Sequence, residues 1–331
     1  MARDIEPAWR VVILPRGGAG ARLVFLLCAL LLLAFPFVGT GAFTTTLLTE
    51  ALILGIWAMS LDVLVGFTGL VTFGHAAGFG LAAYAAGYFA QSVSSDLLVA
   101  MAVAQAVVLG VALPTGFVVS RLSGVAFAII TLAISQVLLQ IGVAWVPVTG
   151  GMDGLIGVPL PTLLGQTVYP GQGFYLMTVA ALILTYVGLD RLVNSPFGRA
   201  LQAVRSSEQR AAAIGINVRL HKWAAFVISW SVAGIAGTLL VFMKAGTTPR
   251  IFHWYESGNV LAMTILGGLG TLFGPVVGAI VFVFLRDHVT TLFQAWQFSF
   301  GLVFVLAVLF LPSGLAGVAT SLTRRLWRTR S

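Results

Sequence analysis

Between Asp190 and Lys222 the chain places Arg191, Arg199, Arg205, Arg210, Arg219 and Lys222 against only Asp190 and Glu208, in a sequence that is otherwise apolar. Its centre, Ser195–Ile216, reads as Ala-rich helix with Gly198 and Gly215 as punctuation. These residue types at this density point to docking rather than to bond chemistry. A polar island costs a membrane protein stability unless something binds it, and the plainer alternative is a solvated loop held on one side by its charge. No paired carboxylates, metal-spaced His/Cys cluster or Ser/His/Asp arrangement accompanies it, and the four histidines at 75, 221, 253 and 288 are scattered.

A second group of candidates lies inside apolar segments. Glu50 and Asp62 share one span, where a lipid-facing carboxylate costs about 2.5–3.5 kcal/mol, so each must face protein, water or an end of the span. Thr131 and Ser135 are four apart, as are Gln136 and Gln140, and residues four apart share a helix face. With Gln105 on the preceding span they are candidates for a polar route. The alternative is hydrogen bonding between helices, about 0.6–2 kcal/mol each in membranes. His75 reads as a helix-start packing residue or a pathway ligand. No G-x-x-x-x-G-K-[ST] occurs, so the chain has no phosphate-cradling loop of its own. Cys28 is alone, so no intrachain disulfide and no metal site is expected.

The elements that position these residues follow from composition. Of 331 residues 59% are hydrophobic and 8% charged, against about 25% charged in soluble domains, and mean hydropathy is +1.02. Apolar runs of roughly 20 residues without strict alternation read as membrane-spanning helices. An all-α polytopic bundle of about ten spans results, near 23–39, 46–66, 75–92, 97–119, 125–146, 174–189, 223–243, 258–272, 275–285 and 289–311. The third, eighth and ninth are short and Gly-rich, so they read as candidates for broken or re-entrant segments. A signal peptide is the rival reading of the N-terminus, disfavoured by the length of its apolar run and the span that follows at once.

Charge fixes the expected orientation. Arg3, Arg10, Arg16 and Arg22 precede the first span, Arg324, Arg325, Arg328 and Arg330 follow the last, and with the central island they hold fourteen of the eighteen basic residues. This is the positive-inside pattern, not a nucleic-acid footprint. Both termini and the island are expected in the cytoplasm, with a basic segment 1–22, a transmembrane domain 23–311 and a basic tail 312–331. Residues 148–173 and 244–257 are expected outside. Arg250 and Arg286 fit least well, since they fall on the outer side.

Four segments then resemble one family. They are Asp62-Val63-Leu64-Val65-Gly66-Phe67-Thr68-Gly69-Leu70-Val71-Thr72-Phe73-Gly74-His75, then Thr149-Gly150-Gly151-Met152-Asp153-Gly154-Leu155, then the island with Gly198-Arg199-Ala200, Arg205, Glu208 and Gly215-Ile216, and last Glu256-Ser257 through Gly267-Gly268-Leu269-Gly270-Thr271-Leu272-Phe273-Gly274-Pro275. In this order they resemble the permeases for branched-chain amino acids in ATP-binding-cassette importers, on the LivM-like side. Asp62 stands where the family usually carries Asn, and Thr72-Phe73-Gly74-His75 where it carries a Ser-Leu-Gly-His step; both departures bear on substrate identity.

The resemblance implies an inverted-repeat permease fold of the vitamin and sugar importer type, in a bacterial inner membrane. Spans two to five and seven to ten would run in opposite directions. The implied partners are two ATPase subunits, a second related permease and an extracytoplasmic solute-binding protein, with surrounding lipid and no nucleic acid. ATP and Mg belong to the ATPases and no cofactor to this chain. Residues 190–222 become the cytoplasmic coupling loop, with Gly198, Arg199, Arg205, Glu208 and Gly215 as its contacts. The expected cargo is a branched-chain or related small amino acid, with urea or a short amide as the alternative within the family. An ion-coupled secondary transporter is the rival from another class, and a membrane enzyme finds no catalytic constellation.

The charge pattern makes a direct prediction. In a Cys28→Ala background, Ser207→Cys should resist an impermeant thiol reagent on intact cells and react after permeabilisation. Labelling from outside would overturn the orientation.

Overall fold

The computed structural model describes residues 31–35, 41–163 and 165–292, with 301, 314 and 315; for 291 and 292 it describes the backbone alone. Most of the expected first and last spans, Cys28, the terminal arginines and nearly all of the two terminal segments therefore lie outside the described residues.

The bundle is built around α1 (Ala42–Asp62), which continues as one π-helical stretch through Val63–Thr68. Its sequence is apolar on every side, and a helix of that kind has to be buried on every side. From Ala51 to Thr68 every residue is buried. The helices that cover it are α5 (Gln172–Asn194), α8 (Val218–Lys244), α9 (Trp254–Gly267) and α10 (Gly274–Leu292). On its far side α8 packs against α2 (His75–Ser92) and α3 (Leu97–Val119), which also pack together.

Small residues make this packing close. The buried stripe of α3 includes Ala100, Ala104, Val108, Ala112 and Gly116, spaced four apart, and Asp96 caps the helix by accepting from the amides of Leu98 and Val99. Short side chains let backbones approach, which is how helices associate where lipid supplies no hydrophobic contrast. α4 (Gly124–Ala144) is peripheral by comparison. It buries only Phe127, Thr131, Ser135 and Gly142, a narrow stripe against α2 and the segment Pro249–Phe252.

Among the described residues five helices are long and apolar enough to cross a membrane: α1 with its π-helical extension, α3, α4, α5 and α8. The third expected span is a continuous helix with the anticipated limits. The eighth is 14 residues long, about 21 Å at 1.5 Å per residue, short of the roughly 30 Å hydrocarbon core. It turns through 268–273 into α10, and this turn is where the glycine motif belongs. A Cβ at Gly278 would overlap the Met263 carbonyl of α9.

The two stretches expected on the same side of the membrane meet each other. Strand β1 (Leu155–Ile156) pairs antiparallel with β4 (Gly246–Thr247), and β2 (Thr162–Leu163) forms a hairpin with β3 (Gln166–Thr167).

Gly278→Ala should overpack the α9–α10 contact and cost about 1–3 kcal/mol, seen as a lower melting temperature in detergent. Gly188→Ala is the control, since nothing lies within 4 Å of a Cβ there. It should be neutral or stabilise by about 0.5–1 kcal/mol.

Candidate functional site

The island is two helices, not the single helix from Gly198 to Gly215 that the sequence suggests. Ser195 caps α6 (Pro196–Ser206) with its hydroxyl accepting from the Gly198 amide, and Pro196 takes the first helical position. Both choices are typical, since Ser accepts an orphan amide and Pro lacks one. Ser207 is extended and breaks the path, and its side chain accepts from the Arg210 amide to start α7 (Glu208–Ala213). Gly198 is thus inside the first turn of α6, where a Cβ would overlap the Val193 carbonyl. Its smallness serves the fold between α5 and α6. Gly215 does end α7, at φ +85° with open space around it.

Arg205 turns inward. Its guanidinium donates to the Gly66 carbonyl in the π-helical end of α1. The end of any helix leaves carbonyls without internal donors, and here three accept from different groups. Thr68 Oγ1 donates to the Val63 carbonyl at 2.8 Å, the Leu70 amide to that of Leu64 at 2.9 Å, and Arg205 to that of Gly66. Asp62, one turn earlier, accepts from the Gly270 amide at 2.8 Å and so ties α1 to the α9–α10 turn. Burial lowers the Arg205 pKa from its ordinary value and the nearby Asp62 charge opposes that shift. Gly66 is required at this crossing, because a Cβ would overlap Asp62 and the Gly270 backbone.

Glu208 also faces the protein. It accepts from Lys222 Nζ at 3.0 Å and from Ser123 Oγ at 2.9 Å. Lys222, at the start of α8 and 2% exposed, donates to Ser123 Oγ at 2.8 Å and to the Leu122 carbonyl. One buried ammonium thereby joins α7, α8 and the α3–α4 turn, its three donors all used. Exposed on the island are Arg191, Arg199, Gln209, Arg210, Arg219 and the alanines 212 and 213, with Ile214 75% and Leu220 53% exposed. Neither Lys222 nor Ser123 is a residue that spacing in the sequence brings to notice.

The intramembrane candidates do not form one route. Thr131 and Ser135 face inward, where Thr131 donates to the Ala128 carbonyl and Ser135 to the Phe252 carbonyl. Gln136 and Gln140 lie on another face of α4, beside Val137, Ile141 and Ala144. Gln105 donates to the Ser231 carbonyl at 2.9 Å and joins α3 to α8. His75 is fully buried, 2.7 Å from Ser60 Oγ and stacked on Trp57. Glu50 sits at the other end of α1, paired with Lys244 at 2.7 Å and Arg286 at 2.8 Å. Arg286 and Arg250, the two arginines that fit the charge pattern least, both line the cavity that Glu50 borders.

Comparison with known proteins gives a consistent result. A family model described as the branched-chain amino acid transport system permease component matches residues 43–312. The high-affinity branched-chain amino acid permease protein LivM of Escherichia coli (strain K12) is 29% identical over 323 residues, covering 90% of this chain and 76% of that protein. LivM of Salmonella typhimurium is 27% identical, covering 88% of this chain and 74% of its own. The ribose import permease RbsC of Haemophilus influenzae is 23% identical over 43% of this chain and 41% of its own. No solved structure matches.

Removing either half of the Lys222–Glu208 pair should have unequal cost. Lys222→Ala leaves a carbonyl and a carboxylate without their donor and should cost about 1–3 kcal/mol. Glu208→Ala leaves the Lys222 ammonium, 2% exposed, without its counter-ion and should cost more, about 3–5 kcal/mol, although Lys222 keeps Leu122 and Ser123. Unfolding in detergent measures both, and an equal or reversed order would contradict the assignment of Lys222 as a buried charged hub.

Proposed function

This chain belongs to the family of permease components of the branched-chain amino acid transport system, and from that membership we propose that it is the LivM-like permease subunit of an ATP-driven importer. The proposed cargo is a branched-chain or related small amino acid, as the names of the similar LivM proteins indicate. In this reading the chain crosses a bacterial inner membrane about ten times, as an inverted repeat, with both termini in the cytoplasm. It works with two ATPase subunits, which bind ATP and Mg, a related permease and an extracytoplasmic solute-binding protein. It performs no bond chemistry.

The observation that carries the coupling part of this reading is the way the island is held. Its inner face is fastened to α1 through Arg205 and to the α3–α4 turn and α8 through Lys222 and Glu208. Its outer face presents Arg199, Arg210, Ile214 and Leu220. A partner that grips the outer face and moves would therefore move the inner fastenings as a unit. We assign docking to Arg199, Arg210, Ile214 and Leu220, transmission to Arg205, and the fixing of α6–α7 to Gly198, Glu208 and Gly215. An ion-coupled transporter would want a carboxylate free to exchange its ion. Glu50 is held by two cations, which weighs against that alternative at Glu50, whereas Asp62 bonds the Gly270 amide through one oxygen alone.

Docking and transmission separate experimentally. Ile214→Asp with Leu220→Asp should abolish co-purification of the ATPase while leaving the permease folded. Arg205→Ala should keep the ATPase bound but lower uptake roughly tenfold, the size of an ordinary coupling free energy. Normal uptake in Arg205→Ala, or full ATPase recovery with the double variant, would refute the respective assignment.

A further inference from the structure

At the end of the bundle remote from Arg205, α1, α8, α9, α10 and the β1–β4 pair border a cavity of about 550 Å³. That volume falls in the roughly 300–1,000 Å³ range of small-molecule sites. Three cations line it, Lys244, Arg250 and Arg286, against two carboxylates, Glu50 and Glu256. Glu50 takes two of the cations at once. Glu256 accepts from Asn259 at 3.2 Å and makes no ion pair among the described residues. The wall between them is apolar, from Leu54, Phe79, Leu240, Met263 and Phe282. Trp57 also lines the cavity, stacked on Phe79 with ring centroids 4.1 Å apart. It is only 2% exposed, and its buried indole N–H has no partner among the described residues.

A purely structural ion cluster would not need this layout. Buried charges are costly unless matched. Surplus positive charge, a carboxylate outside any ion pair among the described residues and an apolar wall all ask for the same occupant. We infer that the cavity is a weak binding site for a small apolar α-amino acid. Its carboxylate lies on Arg286 and Lys244, its ammonium on Glu256, and its side chain against Leu54, Phe79 and Met263. Glu50 holds the two cations when the site is empty and yields them to the incoming carboxylate. The inference rests on reading the chain as an amino acid permease, and it deepens that reading by locating cargo within one protomer. Weak binding suits the task, because a tight site would slow release.

The test uses the permease–ATPase complex in nanodiscs without the solute-binding protein, probed by equilibrium binding of radiolabelled leucine, with isocaproate and leucinamide as competitors. Leucine should bind saturably, and leucinamide, which lacks the carboxylate, should compete about tenfold less well. Arg286→Gln should weaken leucine about tenfold, as loss of a charge-assisted bond does. Lys244→Gln, at a side chain that is 47% exposed, should also weaken leucine several-fold, which guards against a folding defect in the first variant. Glu256→Gln should weaken leucine but not isocaproate. Glu50→Gln should tighten isocaproate, because the resident competitor is gone. Absence of saturable leucine binding, or unchanged affinity in both Arg286→Gln and Lys244→Gln, overturns the site. Leucine uptake by the whole complex in proteoliposomes is scored separately. Uptake without binding to the nanodisc complex refutes the cavity site alone. No uptake of any branched-chain amino acid refutes the functional reading, and the cavity site is then decided by the binding data.

Discussion

A helix whose last turn is buried must find donors in the protein for the carbonyls of that turn. The rest of this structure is organised around that requirement at the end of α1. Thr68 and the Leu70 amide meet two of the carbonyls, and the third is met by Arg205, which is 139 residues away in sequence. Asp62 reaches in the same region to the Gly270 amide, 208 residues away. One buried helix end thus gathers α6 and the α9–α10 turn, and the wider π-helical turn there presents carbonyls outside the ordinary helical pattern.

This requirement gives the polar island its shape. Were α6 and α7 merely solvated, their charged side chains would point outward and the connection to the bundle would be loose. Instead Arg205, Glu208 and Lys222 turn onto backbone carbonyls and one another, while Arg199 and Arg210 stay exposed beside the apolar side chains of Ile214 and Leu220. At the other end of α1 the same logic produces a different result: Glu50 finds two cations rather than backbone amides, and a cavity remains beside them. The arginines that sit awkwardly with a positive-inside pattern are there because they face this cavity rather than lipid.

The one-dimensional pattern carries most of the helices. Apolar length gives α2 and α3 with their observed limits and most other spans to within several residues, because long apolar runs have few alternatives. The gap expected between 285 and 289, by contrast, is continuous helix, α10 running from Gly274 to Leu292. A run of alanines reads as continuous helix, and so the break at Ser207 is missed. The polar residues of α4 show the opposite failure. Spacing puts Thr131 with Ser135 and Gln136 with Gln140, but the neighbours that face each pair are on distant segments. Only their positions reveal that one pair bonds backbone carbonyls while the other borders a separate hollow beside Val137, Ile141 and Ala144.

Sequence by itself determined that this is a helical membrane protein, that a basic island interrupts it, and that four motifs carry its family likeness. Those are properties of composition and local order, and local order is written in consecutive residues. Which charges are internal was decided only by the tertiary structure. Lys222 and Glu208 are fourteen residues apart, Arg205 and Gly66 are in different helices, and Glu50 meets Lys244 and Arg286 across three. No helical or strand period links such residues. Their pairing depends on how the helices pack around α1, because burial, not spacing, is what obliges each charge to find a partner.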